Sequence, residues 1–143
     1  MQTFDLLQIN TDGGSRNNPG PAAIGVYATS ENKEVFSISE YLGIATNNEA
    51  EYQGVIFALN YLKDNNVHAS SVTFVLDSEL IVKQITGVYK VKQEHLQTLK
   101  TKVLVLISEL TEKEQIKKIS FVNVLREKNK EADRLVNQAL DSQ

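Results

Sequence analysis

Ile9-Asn10-Thr11-Asp12-Gly13-Gly14-Ser15-Arg16-Asn17-Asn18-Pro19-Gly20-Pro21 is the stretch that decides how the rest of the chain is read. In the run leading into it, Phe4 and Leu6 fall on one side while Leu7, Ile9 and Thr11 fall on the other. That period of two predicts a strand, apolar enough to be largely buried. Aspartate is depleted in strands, and a carboxylate at the end of a buried one is costly unless a cation or a hydrogen-bond donor meets it. Gly13 and Gly14 behind it remove side-chain bulk and let another molecule approach the backbone. The combination suits a metal or phosphate site. It also suits an ordinary strand end with Asp12 as a turn residue, so the stretch must be weighed with the remainder of the chain.

Ala22 to Thr29 and Glu34 to Leu42 alternate at period two around the polar Ser30-Glu31-Asn32-Lys33, which predicts an antiparallel meander. Thr46-Asn47-Asn48 then opens a helix whose stripe is Val55, Ala58, Leu59 and Leu62 and which stops at Asp64-Asn65-Asn66. Ser71 to Leu76 reads as a buried strand, and Leu80, Ile81, Gln84 and Ile85 as a short helix ended by Gly87. After a linker, Val88 to Lys92, a long amphipathic helix carries Leu96, Leu99, Val103, Leu106, Ile107 and Leu110. Ile119 to Leu125 is the last strand, Arg126 to Asn129 a loop, and Ala132, Leu135, Val136, Ala139 and Leu140 mark a closing helix capped by Asn129. The predicted fold is α/β, a mixed five-stranded sheet flanked by helices in the order βββαβααβα.

The 143 residues fit a single domain over 1–143, with no repeat and no linker-like tract. No run of about 20 apolar residues predicts a membrane span. Zero cysteines exclude disulfides and thiolate metal sites. The start of the chain has no secretory pattern, so the expectation is a cytoplasmic protein. Fifteen basic and 18 acidic side chains give a net charge of −3, which argues against gripping nucleic acid by bulk charge alone. The basic residues do cluster late, at Lys113, Lys117, Lys118, Arg126, Lys128, Lys130 and Arg134.

Four acids stand out by position. Glu51 precedes Val55, Ala58, Leu59 and Leu62 by four, seven, eight and eleven residues, so it lies on the core-facing stripe of its helix. Asp77 follows a strand and precedes a helix, and Asp133 falls in the first turn of the last helix. Taken singly, each has an ordinary role: Glu51 and Asp133 complement a helix N-terminus, and Asp77 or Ser78 caps a helix. Taken together with Asp12, they lie on four separate elements and can converge only around positive charge. An all-oxygen set selects a hard cation, Mg²⁺ or Mn²⁺ rather than Zn²⁺. Two such ions about 3.5–4 Å apart can clamp the attacking water and the leaving oxygen of a phosphodiester.

Asp12-Gly-Gly-Ser with Asn18-Pro-Gly-Pro, Thr46-Asn-Asn-Glu-Ala-Glu51, Leu76-Asp-Ser and Asn129-Lys-Glu-Ala-Asp133 resemble the motifs of the type 1 ribonucleases H, and the likeness runs from Gln8 to Leu140. The resemblance implies a ribonuclease H-like fold and hydrolysis of the RNA strand of RNA/DNA hybrids. It implies Asp12, Glu51, Asp77 and Asp133 as ligands of two Mg²⁺ or Mn²⁺ ions when substrate is bound. Water would attack in line and leave 5′-phosphate and 3′-hydroxyl ends. Asn18, Asn47 and Asn48 match positions that contact the minor groove of the hybrid, and Thr46 matches one that meets a DNA phosphate. Gly13, Gly14 and Ser15 are expected to help read 2′-hydroxyls by shape, without sequence code. Double-stranded RNA is a second possible partner, no membrane partner is expected, and the chain is expected to act as a monomer.

Two departures from the pattern matter. The loop before the last helix, Leu125-Arg126-Glu127-Lys128-Asn129, has no histidine where many bacterial members carry one, which leaves Arg126 or Glu127 to stand in. His68 and His95 lie elsewhere and read as surface residues. Gly87 to Lys92 is too short for the basic protrusion of those enzymes, so the chain resembles the compact subgroup, which implies either a weaker substrate grip or one resting on Lys90, Lys92 and the basic last third. A rival reading is a catalytically weak or inactive paralogue that binds hybrid or double-stranded nucleic acid. An actin-like phosphotransferase is disfavoured, because that architecture needs two such domains.

Overall fold

The alternating run before Asp12 becomes the central strand of the sheet. In the computed structural model, which describes residues 2–143, the strands are β1 (Gln2–Ser15), β2 (Gly20–Ser30), β3 (Lys33–Ala45), β4 (Val67–Leu76) and β5 (Ile116–Asn123), in spatial order β3-β2-β1-β4-β5. The pairs β1–β2 and β2–β3 are antiparallel, whereas β1–β4 and β4–β5 are parallel. The helices are α1 (Asn47–Asp64), α2 (Glu79–Ile85), α3 (Glu94–Glu112) and α4 (Lys130–Asp141), so the element order is the one the periodicities predict. No helix among the described residues is long and apolar enough to cross a membrane.

The helices sit where they do because two glycines let them. α1 starts on a capping box, with Thr46 Oγ1 accepting from the Glu49 amide at 3.1 Å and Glu49 Oε1 from the Thr46 amide at 2.8 Å. It then lies directly on Gly13, where a Cβ would collide with the Ala50 carbonyl. Gly25, paired with Asp12 across β1 and β2, faces the other way: a Cβ there would collide with the Ala132 carbonyl oxygen of α4 and sit 2.8 Å from Leu135 Cβ. The α1 side holds the main core, built from residues such as Leu7, Ile9, Tyr52, Leu59, Phe74 and Ile116 with α2 and α3 packed over it. The α4 side has only a small apolar cluster, Ala23, Val136, Ala139 and Leu140, with Tyr41 against it.

Three details differ from the sequence reading. The strand does not end in a turn at Asp12; Gly13, Gly14 and Ser15 extend β1 and pair with Ile24, Ala23 and Ala22, and the chain turns over 16–19 instead. The strand is buried only in part: apart from Leu7 and the half-buried Phe4 its first half is open to solvent, with Leu6 at 53%. α4 explains this, since its 12 residues span only about 18 Å and cover the far half of that face. Finally, strand ends run past their alternation: β2 starts at Gly20, β3 spans Lys33–Ala45, β4 starts at Val67 and β5 at Ile116, because backbone pairing with a neighbour holds ends that the side-chain pattern does not mark; β5 by contrast stops at Asn123, short of Leu125, where its partner β4 ends at Leu76.

Candidate active site

Asp12 lies near the end of the central strand with its side chain on the α4 face, 7% exposed, and the Gly13 amide donates to its Oδ1 at 2.9 Å. Glu51 comes from the second turn of α1 and is 8% exposed. Asp77 directly follows the last residue of β4. The capping of α2 is done by Ser78, whose Oγ accepts from the Ile81 amide at 3.2 Å, so the Asp77 carboxylate is free to face the same point. One carboxylate oxygen from each of Asp12, Glu51 and Asp77 lies within 4.8 Å of the others.

Such a cluster is electrostatically expensive. Burial, and next the Asp77 charge, push the Asp12 carboxyl up to about 7. Burial followed by the charges of Asp12 and Asp77 pushes Glu51 well above the ordinary carboxylate range. Asp77 is raised by burial too, with the Asn129 amide and the Arg126 guanidinium acting against the rise. Glu51 Oε2 is buried with no hydrogen-bond partner. An acceptor left bare among three acids fits a bound cation, and an all-carboxylate donor set fits a hard divalent ion.

The acids open into a cavity of about 470 Å³ that also takes in Ser15, Arg16, Asn47, Arg126 and Asp133. Asp133, in the first turn of α4, stands at its rim outside the tight trio, and its Oδ1 lies 3.6 Å from the exposed Arg126 guanidinium. Arg126 and Glu127 share one turn of 3-10 helix but part company. Arg126 faces the acids, while Glu127 lines a neighbouring cavity with Gln8, Asn10 and Tyr27. A larger cavity, about 800 Å³, lies at the opposite end of the sheet. Its acids, Asp5, Glu31 and Glu34, are all exposed.

The residues expected to meet a ligand form the rim beside Glu51. Asn18 Oδ1 accepts from the Asn47 amide at 3.0 Å, and Asn47 Oδ1 accepts from the Ser15 amide at 2.9 Å and from Ser15 Oγ at 3.2 Å. These bonds tie the 16–19 turn to the start of α1 and leave the Asn47 NH₂ unspent. Asn47 is exposed and Asn48 and Thr46 are half-buried. Gly14 is partly open, whereas Gly13 is covered by α1.

Asn129 does not cap α4 as the sequence suggests. It is 1% exposed and makes no side-chain cap bond. Its Nδ2 donates instead to the Thr11 carbonyl at 2.9 Å, and its Oδ1 accepts from Asn10 Nδ2 at 3.0 Å. Asn10 and Gly25 are thus residues the sequence reading passed over; the signal available was an asparagine in a central strand, where that residue is depleted. A second unforeseen contact joins α1, which carries Glu51, to α2, which follows Asp77: Tyr52 Oη donates to Gln84 Oε1 at 2.8 Å inside the core.

A family model described as reverse transcriptase-like matches residues 10–139. A bifunctional protein of Mycobacterium tuberculosis is 39% identical over 136 residues, covering 94% of this chain and 35% of that protein, so the chain spans about a third of its length. Among solved structures, ribonuclease H1 of the halophilic archaeon Halobacterium salinarum matches with a TM-score of 0.86 at 32% identity, over 96% of this chain and 99% of that one. LC11-RNase H1 in complex with an RNA/DNA hybrid matches with a TM-score of 0.82 at 40% identity, over 95% and 97%.

Proposed function

Because this chain belongs to the ribonuclease H family, we propose that it is a metal-dependent endoribonuclease that hydrolyses the RNA strand of RNA/DNA hybrids. The observation that carries the reading is the meeting of Asp12, Glu51 and Asp77 within 4.8 Å in an open cavity, with one buried oxygen unpartnered. A hybrid-bound structural neighbour at 40% identity supports the substrate class.

Asp12, Glu51 and Asp77 would hold Mg²⁺ or Mn²⁺, two ions with substrate present, and Asp133 would complete the set from the rim. When bound, such ions supply charge neutralisation and Lewis-acid activation at the phosphodiester. The chain's own residues supply position. Asn47, its NH₂ unspent, and Asn18, Asn48, Gly14 and Ser15 line the side where a wide, shallow minor groove would rest, and polar groups of this kind read 2′-hydroxyls by shape rather than by sequence. Thr46 sits at the same helix start, where backbone amides favour a phosphate. Arg126, exposed and facing the acids, offers a cation beside Asp133 in the loop where many bacterial ribonucleases H carry a histidine. Water attacks phosphorus in line and the O3′–P bond breaks, leaving a 5′-phosphate and a 3′-hydroxyl. We take residues 1–143 to act as one catalytic unit, monomeric and cytosolic.

A hybrid labelled on its RNA strand tests the reading directly. In Mg²⁺ or Mn²⁺ the RNA should be cut at many positions to 5′-phosphate ends, with the DNA strand intact. Uncut RNA at high enzyme, or cutting that survives Asp12→Asn undiminished, would defeat it. Double-stranded RNA in a parallel reaction reports on the second possible substrate.

A further inference from the structure

The cavity that holds the acids is poor in positive charge. Among the described residues that line it, only Arg16 and Arg126 are cationic, against Asp12, Glu51, Asp77 and Asp133. Arg126 stands 3.6 Å from Asp133, so its charge is shared with an acid of the cation site. Arg16 is turned the other way. It follows Ser15 at the end of β1 and reaches across to α4, where its Nη2 donates to Asp141 Oδ1 at 2.6 Å and to Asn137 Oδ1 at 3.5 Å.

Two features of that contact need a reason. Asp141 is the last residue of α4, and the dipole of a helix disfavours a negative charge at its C-terminal end, so the acid does nothing for its own helix. The Arg16 side chain is 50% exposed and that of Asp141 67%, and ion pairs this open to water hold weakly. The guanidinium is also only partly used, since Nε and Nη1 have no partner among the described residues. Each two-pronged face of a guanidinium, Nε with Nη2 or Nη1 with Nη2, includes the nitrogen that Asp141 holds. A phosphate gripped bidentately therefore competes with Asp141 for it.

We propose that Arg16 is a substrate-binding residue that grips a backbone phosphate of the RNA strand beside the one cleaved, and that Asp141 holds the guanidinium until that phosphate displaces it. The inference rests on the reading of the chain as a nuclease for RNA/DNA hybrids. Arg16 lines the same cavity as the acids, and the strand that enters this cavity is the one cut. Divalent ions would neutralise the phosphate under attack, but its neighbour needs a partner of its own. With a net charge of −3, the chain has no bulk field to hold it.

Two variants separate a phosphate grip from a plain latch between the 16–19 turn and α4. A latch is broken by losing either partner, so Arg16→Ala and Asp141→Asn would weaken binding alike. A phosphate grip gives them opposite signs. The measurement is fluorescence anisotropy of a short labelled RNA/DNA hybrid with the Asp12→Asn full chain in Mg²⁺ over a salt series, with cleavage by wild type run in parallel. Arg16→Ala should weaken binding about tenfold and lower the log–log salt slope by about 0.9. Asp141→Asn should tighten binding about threefold, but by less than about 1.5-fold where Arg16 is already alanine, because the acid acts through Arg16. Asp141→Asn that weakens binding, or tightens it equally in both backgrounds, would overturn the proposal, as would Arg16→Ala binding like its parent. A single methylphosphonate, which removes one phosphate charge, is then moved along each strand. One position in the RNA strand should cost affinity when Arg16 is present and cost nothing when it is alanine; such a position found only in the DNA strand, or in neither, would overturn the proposal. Wild type that neither binds nor cuts the hybrid sinks the nuclease reading and this inference with it, whereas cutting by wild type with Arg16→Ala binding unchanged sinks this inference alone.

Discussion

One strand shows two opposite environments. Toward α1, β1 presents Leu7, Ile9, Thr11 and Gly13 to a continuous apolar core; toward α4 it presents Asn10, Asp12 and Gly14 to amides, acids and a small apolar cluster. Burying one large aliphatic side chain contributes about 1.5–3 kcal/mol, and the α1 face does so many times over. The α4 face instead carries terms that oppose folding, namely carboxylates forced together and away from water. The difference teaches that the stability of the chain is concentrated on one side of the sheet, so that the other side can hold an arrangement that only a cation would relax.

The largest effect expected on that contrast comes from Asp12→Asn. Cleavage of a hybrid should fall about 1000-fold or more, a rise of about 4 kcal/mol in the barrier, while the metal-free protein melts above wild type at pH 8 because a buried charge is gone. A variant that loses activity and stability together would mean Asp12 is holding the fold. Next come the two glycines. Gly13→Ala drives a methyl into the Ala50 carbonyl on the core side and should cost about 3 kcal/mol or more in chemical denaturation. Gly25→Ala drives one into the Ala132 carbonyl under α4 and should cost less, about 1–3 kcal/mol, because α4 rests on a small cluster and can shift. Equal costs would erase the distinction between the faces.

A smaller effect concerns pH. The Asp12 carboxyl is raised from 3.8 to about 7 in the folded chain and Glu51 is raised as well. Between these limits the folded state holds more protons than the unfolded one, so stability must fall as pH rises from about 4 to 7. Melting of metal-free protein at pH 5 and pH 8 should show this fall, and Mg²⁺ should offset it at pH 8, where the acids are ionised. The smallest effect is on the surface. Arg16 pairs with Asp141 at 2.6 Å, but both are half or more exposed, so Arg16→Ala should change stability by about 0.5 kcal/mol or less.

Much of this architecture is legible in the sequence, for identifiable reasons. A period of two marks the first three strands, an unbroken β-branched and apolar run marks β4, helical spacing marks the helices, Thr46 and Glu49 spell the capping box, and Glu51 declares itself by lying on the stripe of Val55, Ala58, Leu59 and Leu62. What stays hidden depends on the partner. Gly25 reads as any strand residue until α4 is seen lying on it, and Asn129 reads as a cap until Asn10 and the Thr11 carbonyl claim its amide. Arg126 and Glu127 are adjacent in sequence, and only the 3-10 turn separates the one that faces the acids from the one that does not. Strand ends run past their alternation because a ladder bond needs no apolar side chain.

The most direct test of the central claim is an anomalous difference map from a crystal of wild-type protein soaked in Mn²⁺. The account predicts density at carboxylate-binding distance, about 2.2 Å, from oxygens of Asp12, Glu51 and Asp77 together. A hybrid-cleaving crystal form with no peak among these three acids, or with its Mn²⁺ elsewhere, would contradict it.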